Sequence, residues 1–281
     1  MRILAGLTGA LIAFAVAGQA RADCGNTPDA CSLETGTYRI VLPDTPAPGS
    51  PALMFIHGAG GSGENTLRNR GIVDVALRRG YAVIAPDGVL STRRNRRGWS
   101  FHPLRAQRRD EVAFLQAVRD DAARKHGLDR DNVLLSGFSI GGSMVSYLAC
   151  AAPQAFAAYA PVAGGFWRPH PTECVGPVRL LHTHGWADTT VPLEGRVLHG
   201  ADKNDPDAVI QGDIFRTMEI WRATNGCLQY RGDAFSVTDA FWRRSWTRCS
   251  DATALELALF PGGHTVPDGW AEMALDWFEG L

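Results

Sequence analysis

The stretch that most constrains this chain is Leu134-Leu135-Ser136-Gly137-Phe138-Ser139-Ile140-Gly141-Gly142, an apolar run that stops at a serine fenced by glycines. Val133 to Leu135 reads as a buried strand, and Ile140 to Cys150 reads as a helix. A serine between them occupies a sharp, strained turn, and side chains two positions away would collide with the adjoining strand and helix, which explains Gly137 and Gly141. Such a turn needs a sheet around it, and the remaining sequence supplies one. Tyr38 to Leu42, Ala52 to Ile56, Tyr81 to Ala85, Ala157 to Val162, Val178 to Thr183 and Leu255 to Phe260 are short strand-like runs. Between them lie helical patterns at Ile72 to Arg79, Asp110 to His126, Ile214 to Thr224 with Asp213 as N-cap, and Trp270 to Phe278. Continuous apolar strands alternating with helices predict an α/β fold, a mostly parallel central sheet with helices on both faces. In such a sheet the functional residues sit on loops at the carboxyl ends of the strands.

The chain of 281 residues opens with Met1-Arg2, an apolar run from Ile3 to Ala17, and Ala20-Arg21-Ala22. That pattern predicts a secretory signal peptide over residues 1–22, since the apolar run is too short to span a bilayer. A single catalytic domain is expected over 23–281, with no linker or repeat to mark a second. Six cysteines remain, Cys24, Cys31, Cys150, Cys174, Cys227 and Cys249, and an even count in an exported chain points to disulfides. Pairing neighbours along the chain is the simplest arrangement, though spacing alone does not choose it. No C-x-x-C occurs and no histidine stands at ligand spacing from the cysteines, so no metal is expected. The formal net charge of −1 falls to about −3 without Arg2 and Arg21, which argues against a nucleic-acid binder.

Serine is a weak nucleophile and requires a base oriented by a carboxylate. Beyond the turn, the first suitable carboxylate is Asp188, in His184-Gly185-Trp186-Ala187-Asp188, directly after an apolar strand. The base is His264, in Pro261-Gly262-Gly263-His264-Thr265, directly after the last strand. Asp268 rivals Asp188 but follows the histidine and breaks the nucleophile, acid, base order. His182 and His184 lie in or at the end of a strand and read as structural. A tetrahedral intermediate needs backbone donors for its oxyanion. Those expected are the N–H of Ile140 and, from the loop His57-Gly58-Ala59-Gly60-Gly61-Ser62-Gly63, that of Ala59, with Gly60 as the alternative. The loop lacks the G-K-[ST] ending of a phosphate cradle and does not fit a dinucleotide fingerprint.

Arg93, Arg94, Arg96, Arg97, Arg105, Arg108 and Arg109 crowd one segment, read either as a solvated loop or as an anion-attracting rim beside the site. Trp99 and Phe101 lie in the same segment, Phe166 and Trp167 follow a strand, and Trp186 precedes the acid. Each is ordinarily a packing residue; as a set on several loops they suggest an apolar cleft, with Trp99, Trp167 and Trp186 as substrate contacts.

The ordered set HGAGGSGEN from His57, PDG from Pro86, GFSIGG from Gly137, APVAG from Ala160, HGWADTTVP from His184, NGC from Asn225 and GGHTVP from Gly262 resembles the secreted polyhydroxybutyrate depolymerase and feruloyl esterase group of α/β hydrolases. The resemblance runs from about Tyr38 to the C-terminus. It implies an α/β-hydrolase fold, a Ser139, Asp188, His264 triad, an oxyanion hole on Ala59 and Ile140, no cofactor, and ester substrates including polymers. Two departures stand out: Ile140 where members often have Asn, and Val266 where many have Trp after His-Thr. The expectation is thus a monomeric, secreted or periplasmic serine esterase without a stable membrane anchor, acting on polyesters or on feruloyl or aryl esters. The alternatives are an exported serine peptidase on the same fold and a non-catalytic binding protein that keeps it.

Overall fold

A computed structural model describes residues 24–25, 29–93, 95–198, 200–205 and 208–281. The expected signal peptide and its cleavage site lie outside the described residues. In chain order the elements are β1 (Cys31–Leu33), β2 (Gly36–Val41), β3 (Ser50–Ile56), α1 (Gly63–Leu67), α2 (Arg70–Arg78), β4 (Ala82–Pro86), β5 (Val89–Ser91), β6 (Arg96–Gly98) and α3 (Glu111–His126). There follow β7 (Leu128–Phe138), α4 (Ile140–Ala151), β8 (Ala158–Val162), β9 (Trp167–Arg168), β10 (Arg179–Gly185), β11 (Ile210–Gln211) and α5 (Ile214–Thr224). The chain closes with β12 (Ala234–Val237), β13 (Trp242–Trp246), β14 (Ala254–Phe260) and α6 (Trp270–Glu279).

Among the described residues ten strands form one sheet in the order β1-β2-β4-β3-β7-β8-β10-β14-β13-β12. The six central strands, β4 through β14, pair in parallel, and the two pairs at each margin are antiparallel. This is the expected mostly parallel sheet with helices on both faces, with antiparallel margins that the apolar runs did not foretell. Alternation along the strands shows why both faces are covered. Ala52, Met54 and Ile56 of β3 face a core built with α3, α4 and α5, whereas Leu53 and Phe55 face a second core built with α2 and α6. On β7, Val133 and Leu135 point to the first and Leu134 to the second.

Helix boundaries follow local chemistry. The Asp110 carboxylate accepts the Ala113 N–H at 2.9 Å to open α3, and Gly127, with φ +66°, closes it. Asp213 caps α5 through the Arg216 N–H, as the sequence predicted.

The structure forms the three neighbour disulfides Cys24–Cys31, Cys150–Cys174 and Cys227–Cys249. The last closes the arm that carries β12 and β13. Closing loops of this size restricts the unfolded chain and stabilises by about 2–4 kcal/mol each. Among the described residues no helix is long and apolar enough to cross a membrane.

Candidate active site

The turn after β7 places Ser139 at φ 59° and ψ −121°, a conformation that a non-glycine residue adopts only when its surroundings enforce it. The glycines are what enforce it. A Cβ on Gly137 would lie 2.5 Å from Ile56 Cγ1, and one on Gly141 would lie 2.5 Å from the Ile56 carbonyl oxygen. Gly164 packs so closely that a Cβ there would meet the Ser139 carbonyl oxygen at 2.1 Å. The Ser139 N–H donates to the Val162 carbonyl at 2.9 Å, tying the turn to β8.

From this turn the Ser139 hydroxyl donates to His264 Nε2 at 2.9 Å, and His264 Nδ1–H donates to Asp188 Oδ2 at 2.7 Å. Ser139 follows β7, Asp188 follows β10 and His264 follows β14, so parallel strands bring three residues far apart in sequence to one sheet edge. Asp188 is buried, and its oxygens divide the work. Oδ1 accepts the backbone N–H groups of Thr190 and Val191, each at 2.8 Å, leaving Oδ2 for His264. His184 Nε2 donates to the Val191 carbonyl at 2.8 Å and stands 3.6 Å from Asp188 Oδ2. His184 thereby braces the loop that carries the acid, and its other nitrogen meets buried His182 at 3.1 Å. Burial holds both imidazoles below the ordinary histidine range, and neutral rings satisfy this arrangement. Asp268 is exposed, and the His264 nitrogen it would need already belongs to Asp188.

The 57–63 loop crosses directly over the turn, since a Cβ on Gly58 would sit 3.3 Å from Ser139 Cβ. Gly60 N–H donates to the Arg97 carbonyl at 2.9 Å and is spent. No acceptor stands against the N–H of Ala59 or of Ile140 among the described residues, whereas that of Gly60 is taken. His57 fixes the loop: its Nδ1–H donates to the Gly58 carbonyl at 2.7 Å, and Nε2 accepts the Gly88 N–H at 2.9 Å. Its neighbour Asp87 is occupied by Gly63 N–H and Thr37 Oγ1, both at 2.9 Å. Ser50 lies at the opposite end of β3, bonded to the Ala47 carbonyl, so this second buried histidine and aspartate form scaffold rather than a triad. The clamp was legible only as the head of a motif; nothing in the spacing reveals that His57 holds two backbone segments.

A cavity of about 480 Å³ opens beside Ala59 and Ile140, floored by Trp99, Phe101 and Trp167. Trp167 holds its indole N–H on Ser143 Oγ at 3.2 Å and its ring edge-on to Phe101. Trp99 is 6% exposed, and its indole N–H donates to the His57 carbonyl at 2.8 Å, so it props the 57–63 loop while also lining the cavity. Trp186 is exposed and packs against Trp242, outside the cavity wall. Val266 packs on the second core with the α6 side chains and takes no part in the cavity.

No family model matches the chain. It is 31% identical over 255 residues to "Putative esterase NocK" of Nocardia uniformis subsp. tsuyamanensis, covering 84% of this chain and 72% of that protein. Feruloyl esterase C of Emericella nidulans is 29% identical over 170 residues, 57% of each chain. Among solved structures, the acetyl xylan esterase from Aspergillus awamori superposes with a TM-score of 0.63 over 87% of this chain and 94% of that one, at 16% identity, a likeness of fold. A serine, histidine and carboxylate joined at the carboxyl edge of a mostly parallel sheet is the arrangement of an α/β hydrolase. The chain belongs to the esterases of that group and is a carboxylic ester hydrolase.

Proposed function

We propose that the protein is an exported serine esterase in which Ser139 is the nucleophile, His264 the general base and acid, and Asp188 the residue that orients it. The observation that carries this reading is the unbroken chain Ser139 Oγ to His264 Nε2 to Asp188 Oδ2, at 2.9 and 2.7 Å. Ser139 Oγ attacks the ester carbonyl as its proton passes to His264 Nε2, and the N–H groups of Ala59 and Ile140 receive the oxyanion. Collapse expels the alcohol, which takes the proton from His264, and leaves an acyl group on Ser139. Water, deprotonated by His264, then releases the acid and restores the hydroxyl. Asp188 keeps the Nδ1–H tautomer and stabilises the imidazolium that forms in each half-reaction.

The aromatic cavity floor and the relatives named feruloyl and acetyl xylan esterase support esters of aryl or short acyl groups, including those on polysaccharides. A polyester of hydroxyacids fits the same apolar floor. Export is supported by the N-terminal apolar segment and by three disulfides, which persist in oxidising compartments. The catalytic unit is read as residues 23–281, acting as a monomer.

The test is a substrate panel of feruloyl, acetyl and hydroxybutyrate esters with one peptide, run on the parent and on Ser139→Ala. Ester turnover that falls on the order of 10⁶-fold in the variant, with an unchanged melting temperature, is the expected result. Residual activity within tenfold of the parent would place the nucleophile elsewhere, and turnover of the peptide alone would make the protein a peptidase.

A further inference from the structure

The cavity beside the nucleophile is built from two kinds of surface. Its floor is aromatic, and its walls carry Arg96, Arg97, Arg105 and Arg108. Among the described residues no aspartate or glutamate lines it. A solvated surface of this protein, with 28 basic and 29 acidic side chains, mixes the two signs; four guanidinium groups around one pocket with no carboxylate do not belong to that pattern.

The arginines are not equivalent. Arg97 is half-buried and committed, with its Nη1 on the Gly88 carbonyl at 3.0 Å and its Nε 3.6 Å from Asp87 Oδ1. Arg96 reaches the Ala59 carbonyl at 3.4 Å and braces the 57–63 loop. Arg108 touches the Val89 carbonyl at 3.3 Å, and no carboxylate lies within ion-pair distance of it among the described residues. Arg105 likewise has no carboxylate partner among the described residues, and its charge holds neighbouring buried His102 further below the ordinary histidine range. The side chain of Arg109 turns away from the cavity: it is buried, bonded to Glu111 at 2.6 Å and stacked on Phe114. Two cations thus remain at the cavity mouth with no ion-pair partner among the described residues, above an aromatic floor, next to the residues assigned to the oxyanion.

We propose that this cavity binds a free carboxylate carried by the substrate, so that the preferred esters are half-esters and other acid-bearing esters in which Arg105 and Arg108 hold the anionic end. The inference rests on the esterase reading of Ser139. A planar guanidinium matches a carboxylate with paired hydrogen bonds, and the low-dielectric floor strengthens the attraction relative to open solvent. The two unpaired cations also steer an anion toward the mouth, which raises the association rate at low salt.

Two matched substrate pairs test it: mono-4-nitrophenyl adipate against its methyl-capped diester, and 4-carboxyphenyl butyrate against its methyl ester. The first pair puts the charge on the acyl side and the second on the alcohol side. The expected result is that kcat/KM favours the acid over its neutral partner by about tenfold in at least one pair at low ionic strength. That ratio should shrink in 0.5 M salt and fall at least fivefold in Arg105→Gln, Arg108→Gln. A ratio at or below one in both pairs, or a ratio the double variant leaves unchanged, overturns the proposal. A failure of the esterase reading looks different: Ser139→Ala would hydrolyse all four esters as well as the parent. In that event adipate itself decides the pocket. Its addition raises the melting temperature of the parent but not of the double variant if the carboxylate site exists, and leaves both unmoved if it does not.

Discussion

Two stretches of this protein sit within one cavity's reach of each other and were made in opposite ways. At the nucleophile turn, backbone does the positioning: Gly137, Gly141 and Gly164 are there because any Cβ would strike Ile56 or Ser139 itself. In the segment from Val89 to Arg109, long side chains do it, and five arginines fill four different roles. Arg109 is buried on Glu111, Arg97 is tied to Asp87 and Gly88, Arg96 braces a loop, and Arg105 and Arg108 face the cavity. Where a function demands one backbone path, small residues mark it in the sequence. Where it depends on which way a flexible chain turns, identity alone carries almost no information, because arginine's stem can bury or extend at similar cost.

The largest expected effect falls on the first stretch. Asp188→Asn should lower turnover about 10⁴-fold while the fold persists, because an amide at that position favours the wrong tautomer of His264. Asp268→Asn should stay within twofold of the parent. Kinetics of both variants with a nitrophenyl ester settle the point, and a reversed order of effects would move the acid to Asp268.

Trp99 joins the two stretches and gives the next effect. Since its indole is buried and holds the His57 carbonyl, Trp99→Ala should cost about 3–5 kcal/mol of stability. It should also lower kcat/KM for small acetyl and bulky aryl esters alike, through displacement of the Ala59 N–H. Denaturant unfolding and paired kinetics check this. A loss confined to the bulky ester with unchanged stability would return Trp99 to the role of a substrate contact.

The smallest effect concerns acid. His57, His182 and His184 are buried, and burial holds all three below 6.5. The unfolded chain binds protons on them as pH drops through about 6.5 while the folded chain does not, so their contribution is intact above that pH and lost below it. Each adds up to about 1.4 kcal/mol of lost stability per pH unit. Urea unfolding at pH 7.5 and 5.5 should therefore show a lower midpoint at 5.5. A midpoint that holds steady or rises would mean that the clamp at His57 and the brace at His184 tolerate protonation.

Much of this was legible beforehand for a physical reason. Apolar runs such as Ala52 to Ile56 are buried on both faces, and the loops after β3, β7, β10 and β14 carry small or chemically distinctive residues. The arm of β12 and β13 left no such trace. Every residue of β12 is exposed, and on β13 Arg243 and Ser245 are satisfied by Glu256 of β14, which leaves Trp246 as the one residue of the two strands buried in the apolar core. The hairpin of β5 and β6 was hidden likewise, under a run of arginines that reads as loop. The bond from the Trp99 indole to the His57 carbonyl had no signature in the spacing, because an indole in a polar loop looks the same whether its N–H is free or taken.

The proposed mechanism requires that one hydroxyl, activated through His264, does the chemistry. Reaction with a fluorophosphonate ester followed by peptide mapping tests it most directly, because the probe is attacked only by an activated serine and marks the residue that attacked. The account predicts one adduct per chain, on Ser139, lost in His264→Ala and formed far more slowly in Asp188→Asn. An adduct on another serine, or undiminished labelling of Ser139 without His264, would contradict it.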